Sequence, residues 1–183
     1  MRLFIAIDLP DWVAARLSEL QDHGLDIRWT TPETMHLTLR FVGDMEDTAE
    51  REQLIENLYE IRVPAFEMSI NELGYFPPRK HPKIIWAGIQ ENRTLLNLQE
   101  MVEQACRTAG VEPEDRTFIP HVTIGRVGGE SRKEVHSFFN RNKKIQIEGI
   151  PVDKFILYQS KLRPEGAQHI PVEYFALRNN DEA

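Results

Sequence analysis

Apolar residues come in short consecutive bursts that give way to a three-to-four spacing, and this exchange occurs several times along the chain. Arg2 to Leu9 is a short apolar run stopped by Pro10. Asp11 then caps a helix carrying Val13, Leu17 and Leu20 on one side, and Gly24 ends it. A connector through Ile27, Trp29 and Pro32 leads into an extended stretch from His36 to Val42, closed by Gly43. Asp47-x-x-Glu50 is a capping box with Asp in place of Ser or Thr, and Leu54, Ile55, Leu58 and Ile61 follow at helical spacing. After Pro64, Phe66 to Leu73 alternates for part of its length and runs into the loop signal Gly74-Tyr75-Phe76-Pro77-Pro78.

The order then begins again. Lys83 to Ile89 is a buried-type strand, Leu95, Leu98, Val102 and Ala105 mark a helix ending near Gly110, and a polar connector from Pro113 to Pro120 leads into a strand from His121. Ser131-x-x-Glu134 is a second capping box for a helix with Val135, Phe138 and Phe139 on its apolar face. Ile145 to Ile150 and Asp153 to Ser160 read as extended, a loop spans Lys161 to Gly166, and a last strand lies around Val172 to Leu177. From Arg178 onward the chain reads as a frayed polar tail.

Each half thus reads strand, helix, strand, helix, long strand, and the second adds a closing strand. Helices with apolar stripes need a sheet face to cover. The expected class is α+β: a two-lobed, pseudo-two-fold duplicated fold, with mostly antiparallel sheets lining a central cleft and helices on the outer faces. One domain spans residues 1–183, with intertwined lobes at about 1–80 and 81–178 and a polar tail at 179–183.

Composition narrows the function. Hydrophobic residues make up 41% and charged residues 28% of the chain, as in a globular protein. The apolar run at the start is too short for a signal h-region or a membrane span, so no membrane association is expected. The single cysteine, Cys106, excludes an internal disulfide and suits a reducing cytoplasm, where it serves as a small apolar residue on a helix. The net charge of −7 argues against coating duplex nucleic acid and for gripping an anionic group locally.

The chemistry lies in two stretches, His36-Leu37-Thr38-Leu39 and His121-Val122-Thr123-Ile124. In a strand, a histidine and a threonine two apart share one face while the aliphatic residues share the other. With 6 histidines in the chain, chance recurrence of this pattern is on the order of 0.1%. Two facing imidazoles can hold one protonated and one neutral state together, as in-line displacement at phosphorus requires, and threonine hydroxyls can hold the non-bridging oxygens. A zinc site would want a third ligand at a recognisable spacing, and none is visible, so neither a metal nor any other cofactor is expected. Structural histidines remain the plain alternative. His81 and His169 read as surface-loop residues, His23 and His136 as solvated helix residues, and Trp86 and Tyr174 as core. The basic residues Arg79 to Lys83, with Lys161 and Arg163, read as reaching toward an RNA backbone or as ordinary solvated charge.

These paired motifs on repeated strand-helix units resemble the 2H phosphoesterase superfamily, and within it the RNA 2′,3′-cyclic phosphodiesterases, also called 2′-5′ RNA ligases. The resemblance also rests on Arg2 to Pro10, Arg40 to Gly43, Gly74-Tyr75-Phe76, Pro120 to Arg126, and Leu157-Tyr158-Gln159-Ser160. It implies that His36 is the general acid for the 3′ leaving oxygen, His121 the general base for water, and Thr38, Thr123 and Arg126 the phosphate ligands. Phe41 would stack on a base, against its strand parity unless a bulge intervenes before Gly43. Arg40, sharing a face with Thr38 by alternation, is a further candidate contact. The implied partners are cyclic phosphate ends of RNA or nucleotides, tRNA fragments among them, handled by a monomer in the cytoplasm, with 2′-5′ ligation as the companion reaction. The motifs are nearly symmetric and do not themselves say which histidine is acid and which base. The alternatives are a non-catalytic RNA-end binding module, or a phosphodiesterase for 2′-5′ oligonucleotides or another small cyclic phosphate.

Overall fold

In the computed structural model, which describes residues 1–78, 81–129 and 132–179, the first part of the chain runs β1 (Arg2–Asp8), α1 (Asp11–Ser18), β2 (Ile27–Trp29), a 3-10 turn (Pro32–Thr34), β3 (His36–Asp44), α2 (Thr48–Tyr59) and β4 (Phe66–Phe76). The second part runs β5 (Ile84–Ile89), α3 (Arg93–Thr108), β6 (His121–Val127), α4 (Arg132–Asn142), β7 (Ile147–Val152), β8 (Lys154–Arg163) and β9 (Gly166–Ala176). All nine strands join one sheet, in the order β7-β4-β5-β6-β3-β1-β8-β9 with β2 beside β6. Every pairing in it is antiparallel.

This order is symmetric about the contact between β6 and β3, with β5 matching β1, β4 matching β8 and β7 matching β9. The two sides meet at a single residue pair, Leu37 with Val122, which turns two half-sheets into one. The halves of the sheet are not the halves of the chain. The long strand of the first repeat, β4, pairs with β5 of the second, while β8 returns to β1. Lobes at 1–80 and 81–178 therefore describe the sequence repeat, and each half-sheet draws on both.

Local chemistry sets the element ends. Asp47 accepts hydrogen bonds from the N–H groups of Ala49 (2.7 Å) and Glu50 (3.1 Å) to cap α2, and Asn92 accepts from Leu95 N–H at 3.0 Å to cap α3. Gly110, just past the Ala109 cap of α3, has a φ of +87° that favours glycine, and Val111 N–H donates back to the Cys106 carbonyl at 3.0 Å. Asp11 is the first residue of α1 rather than its cap, and that helix stops at Ser18, well before Gly24. The expected capping residue Ser131 lies outside the described residues. Arg178 is not frayed: Val63 bridges it, and its guanidinium donates to the Tyr59 carbonyl at 2.9 Å.

One face of the sheet is covered by helices. Leu3, Ile5, Ile7, Leu37, Ile85, Val122 and Ile124 share a continuous core with Leu17, Leu54, Leu58, Leu95, Leu98, Val102 and Phe138 from the four helices. Truncating any such leucine to alanine would cost about 2–5 kcal/mol. Cys106 belongs to this core, and burial pushes its thiol up to about 12, so it acts as an apolar residue. No described helix is long and apolar enough to cross a membrane.

Candidate active site

The sheet face opposite the helices carries the polar side of both His-x-Thr strands. Because Leu37 pairs with Val122, the antiparallel register sets His36 beside Thr123 and His121 beside Thr38. The two histidines are thus diagonal neighbours, roughly 7–8 Å apart at the backbone. All four polar side chains share one face, since Leu37 and Val122 are fully buried on the other. The two threonine hydroxyls have no intramolecular partner among the described residues, which leaves both as donors for a ligand.

Each imidazole is held by the carbonyl two residues upstream. His36 Nδ1 lies 2.7 Å from the Thr34 carbonyl and His121 Nδ1 lies 2.6 Å from the Ile119 carbonyl. A carbonyl only accepts, so Nδ1 carries the proton in both rings and Nε2 is the working nitrogen. The surroundings then differ. The His36 ring centre is 5.1 Å from Phe4 and 5.0 Å from His169, edge to face with the latter. His121 lies 5.1 Å from Phe76 and 5.9 Å from Trp86. Burial pushes His36 down to about 4, against the pull of the Thr34 carbonyl and with the neighbouring His169 and His121 adding to the shift. Burial also lowers His169.

A bulge follows each motif. Thr38 faces Ala6 and Arg40 faces Ile5, so Leu39 is an extra residue in β3, and in the same way Ile124 is extra in β6 between Thr123 opposite Trp86 and Gly125 opposite Ile85. The bulge inverts the alternation beyond it. Phe41 comes to lie opposite Phe4, on the face of the histidines, with ring centres 6.2 Å apart and 60% of its surface exposed. Arg126, at the matching position of β6, is exposed opposite Ile84.

The same inversion corrects the expectation for Arg40. It does not share a face with Thr38: only 7% of it is exposed, and its guanidinium pairs with Glu103 and donates to the carbonyls of Phe41 and Glu112. All three groups are structural, and the side chain has no route to a ligand in the cleft.

Other placements also differ from expectation. His169 is a half-buried residue of β9, not a surface-loop residue: Ser160 of β8 pairs with it, which brings its ring to 4.9 Å from Phe4 beside His36. Trp86 stands on the cleft face, where its indole lies over Gly74 so closely that a Cβ there would overlap the ring; its Nε1 is buried without a partner among the described residues. Tyr174 is 52% exposed rather than core. His23 is exposed in a turn after α1, not on a helix. Arg79 and Lys80 lie outside the described residues. Phe4 and Tyr158, stacked at 5.2 Å, wall the His36 side and are found only by strand parity. Among the described residues no three or more His, Cys, Asp or Glu side chains are grouped so as to hold a metal ion.

The site therefore offers two fixed imidazole nitrogens, two free hydroxyls and one guanidinium on a single face, a set suited to an anionic phosphorus centre. The profile of the LigT-like phosphoesterases matches the chain twice, over residues 7–86 and 88–167, which accords with the internal repeat. An RNA 2′,3′-cyclic phosphodiesterase of Aquifex aeolicus is 32% identical over 170 residues, covering 90% of this chain and 89% of that protein. The protein of the same name from Methanothermobacter thermautotrophicus is 29% identical over 185 residues, covering 97% and 99%. The crystal structure of TT0787 from Thermus thermophilus aligns with a TM-score of 0.80 at 26% identity, over 98% of this chain and 100% of that one. With both repeats matched and both motifs on one sheet face, the chain belongs to the LigT-like phosphoesterase family.

Proposed function

We propose that this phosphoesterase opens 2′,3′-cyclic phosphate ends of RNA or nucleotides to 2′-phosphates, with His36 as general acid and His121 as general base. The observation that carries this reading is the matched clamp on the two rings. Each Nδ1 is tied to the carbonyl two residues upstream, which leaves Nε2 of each ring for a ligand on the sheet face that also carries the two threonine hydroxyls.

In this mechanism the cyclic phosphate lies between the rings. Thr38 and Thr123 donate to its non-bridging oxygens and Arg126 adds a charge-assisted contact. Nε2 of His121 takes a proton from water as the water oxygen bonds to phosphorus. The bond from phosphorus to O3′ breaks on the far side, and Nε2–H of His36 delivers its proton to O3′. The 2′ oxygen stays on phosphorus. His36 ends neutral and His121 charged, and proton exchange with solvent resets the pair. A 5′-hydroxyl in place of water gives a 2′-5′ linkage by the same steps, although hydrolysis dominates in water. Burial holds His36 down to about 4 and so keeps it neutral at pH 7, and a phosphate anion beside it favours the imidazolium, so the substrate binds together with a proton. RNA or tRNA fragments with cyclic ends have the required chemistry, and the exposed ring of Phe41, backed by the buried Phe4, offers a face on which the terminal base stacks.

The test is hydrolysis of a 2′,3′-cyclic mononucleotide in EDTA by wild type, His36→Ala and His121→Ala. Each variant is expected to lose about 10²–10⁴-fold in kcat, and wild type to release the 2′-phosphate. A substrate with sulfur bridging at 3′ separates the roles, because a thiolate leaves without a proton: the His36→Ala defect shrinks on it while the His121→Ala defect persists. The opposite pattern reverses the assignment. No turnover by folded wild type on this ester or on a cyclic-ended oligonucleotide replaces the enzyme with an RNA-end binding module.

A further inference from the structure

Beyond the reacting phosphate, the cleft face carries a second cation that the mechanism does not use. β2 pairs with β6 so that Arg28 lies directly opposite Arg126. Ile27 is buried, and Trp29 turns to the helix side, where its ring is 5.4 Å from Phe138. Alternation therefore sends Arg28 to the other face, alongside Arg126. Both arginines are exposed. Like charges directly across a strand pair are unfavourable, yet neither guanidinium has an ion-pair or hydrogen-bond partner among the described residues. Asp26, on the approach to β2, directs its carboxylate to the Gly129 N–H at 2.6 Å. In a chain of net charge −7, two adjacent uncompensated cations beside the catalytic strand are an arrangement that a bound anion would relieve.

The spacing indicates which anion. With Ile124 taken up in the bulge, Arg126 is two strand steps beyond Thr123, roughly 7 Å, and Arg28 is a further ~5 Å across the sheet. That offset matches the neighbouring phosphate of an extended single strand whose end lies between the histidines. The fold does not require such a pair. At the matching position in the other repeat Phe41 replaces Arg126, and the strand is flanked by the connector at Glu112, which Arg40 pins in place.

We propose that Arg28 forms a second phosphate position, adjoining the contact of Arg126 with the reacting group, that takes the RNA backbone phosphodiester one nucleotide away. This rests on the proposed function for the identity of the first phosphate, but its test needs binding alone. Calorimetry compares a nucleoside 2′-monophosphate with a dinucleotide ending in a 2′-phosphate, on wild type, Arg28→Gln and Arg28→Lys. In wild type the dinucleotide is expected to bind about tenfold tighter, the gain of one charge-assisted contact. That ratio falls to within about twofold in Arg28→Gln and is largely kept in Arg28→Lys. The wild-type dinucleotide also shows a salt slope steeper by about 0.7 than the mononucleotide, the increment for one phosphate of a single strand.

A ratio near one in wild type, or a full ratio in Arg28→Gln with unchanged thermal unfolding, overturns the proposal. A 5′-hydroxyl dinucleotide added to protein saturated with the mononucleotide tells the source of the phosphate. If its binding is what Arg28→Gln removes, the position serves the strand that attacks in ligation. Should wild type bind with the expected ratio yet turn over no cyclic ester, the catalytic reading fails and the Arg28 position stands.

Discussion

The strand of His36 and the strand of His121 are alike for four residues and a bulge, and then they part. Below the sheet, β3 places Arg40 where β6 has Gly125; above it, β3 presents Phe41 where β6 presents Arg126. Arg40 reaches Glu103 on α3 and the Glu112 carbonyl, fixing the connector ahead of β6. A Cβ at Gly125 would meet Ile27 Cγ2 at 2.8 Å and the Trp29 ring at 2.9 Å, so the absent side chain is what lets β2 lie against β6. The duplication thus supplies a matched pair of histidines on one face, while the residues just past each motif make one end of that face aromatic and the other cationic. Both histidines pack on aromatic rings, His36 on Phe4 and His169, and His121 on Phe76 and Trp86, and burial lowers His36.

The largest effect that would break this comparison is at Arg40. Arg40→Met leaves Glu103 and the two carbonyls without their cation in a largely buried site, and should destabilise the protein by about 3–5 kcal/mol, measured by urea unfolding. A loss below 1 kcal/mol would show that the guanidinium does not pin the connector.

Next comes pH. The unfolded chain protonates His36 at its ordinary value near 6.5, whereas the folded protein holds it down to about 4. Stability from this group is complete above pH 6.5 and is lost as pH falls from there toward 4, by about 3 kcal/mol in all. His36→Gln should flatten that limb of the stability profile. Inorganic phosphate, by favouring the imidazolium, should raise the His36 titration seen by NMR, and a titration that stays fixed on phosphate addition would count against phosphate beside this ring.

The smallest effect sharpens the aromatic end. Phe41→Ala removes the exposed ring beside Phe4 and should weaken binding of a cyclic nucleotide by about 1–2 kcal/mol, in line with loss of one stacked base. The loss should appear in KM more than in kcat, and Phe41→Tyr should restore it.

Much of this was legible along the chain. The repeat, the helix stripes of α2 and α3, the Asp47 cap and the shared face of His36 with Thr38 all follow from spacing within a few residues. The misreadings share a cause. His169 looks like a loop residue until β8 and β9 pair through Ser160 and lay its ring on His36. Arg40 follows the parity of Thr38 until one extra residue in β3 inverts it. Arg28 lies in a stretch read as a connector, although Ile27-Arg28-Trp29 already alternates like a strand.

The sequence by itself determined the duplication, the polar and apolar faces of the two His-x-Thr strands and the four side chains that meet at their crossing. Those follow from backbone periodicity, which is local and therefore written in residue order. The strand exchange that joins β4 to β5 and β8 to β1, the inversion at the two bulges, the burial that lowers His36 and the pairing of Arg28 with Arg126 were decided only by the tertiary structure. Each depends on which distant strand supplies the partner, and hydrogen-bond registers between segments remote in sequence leave no mark on the spacing within either one.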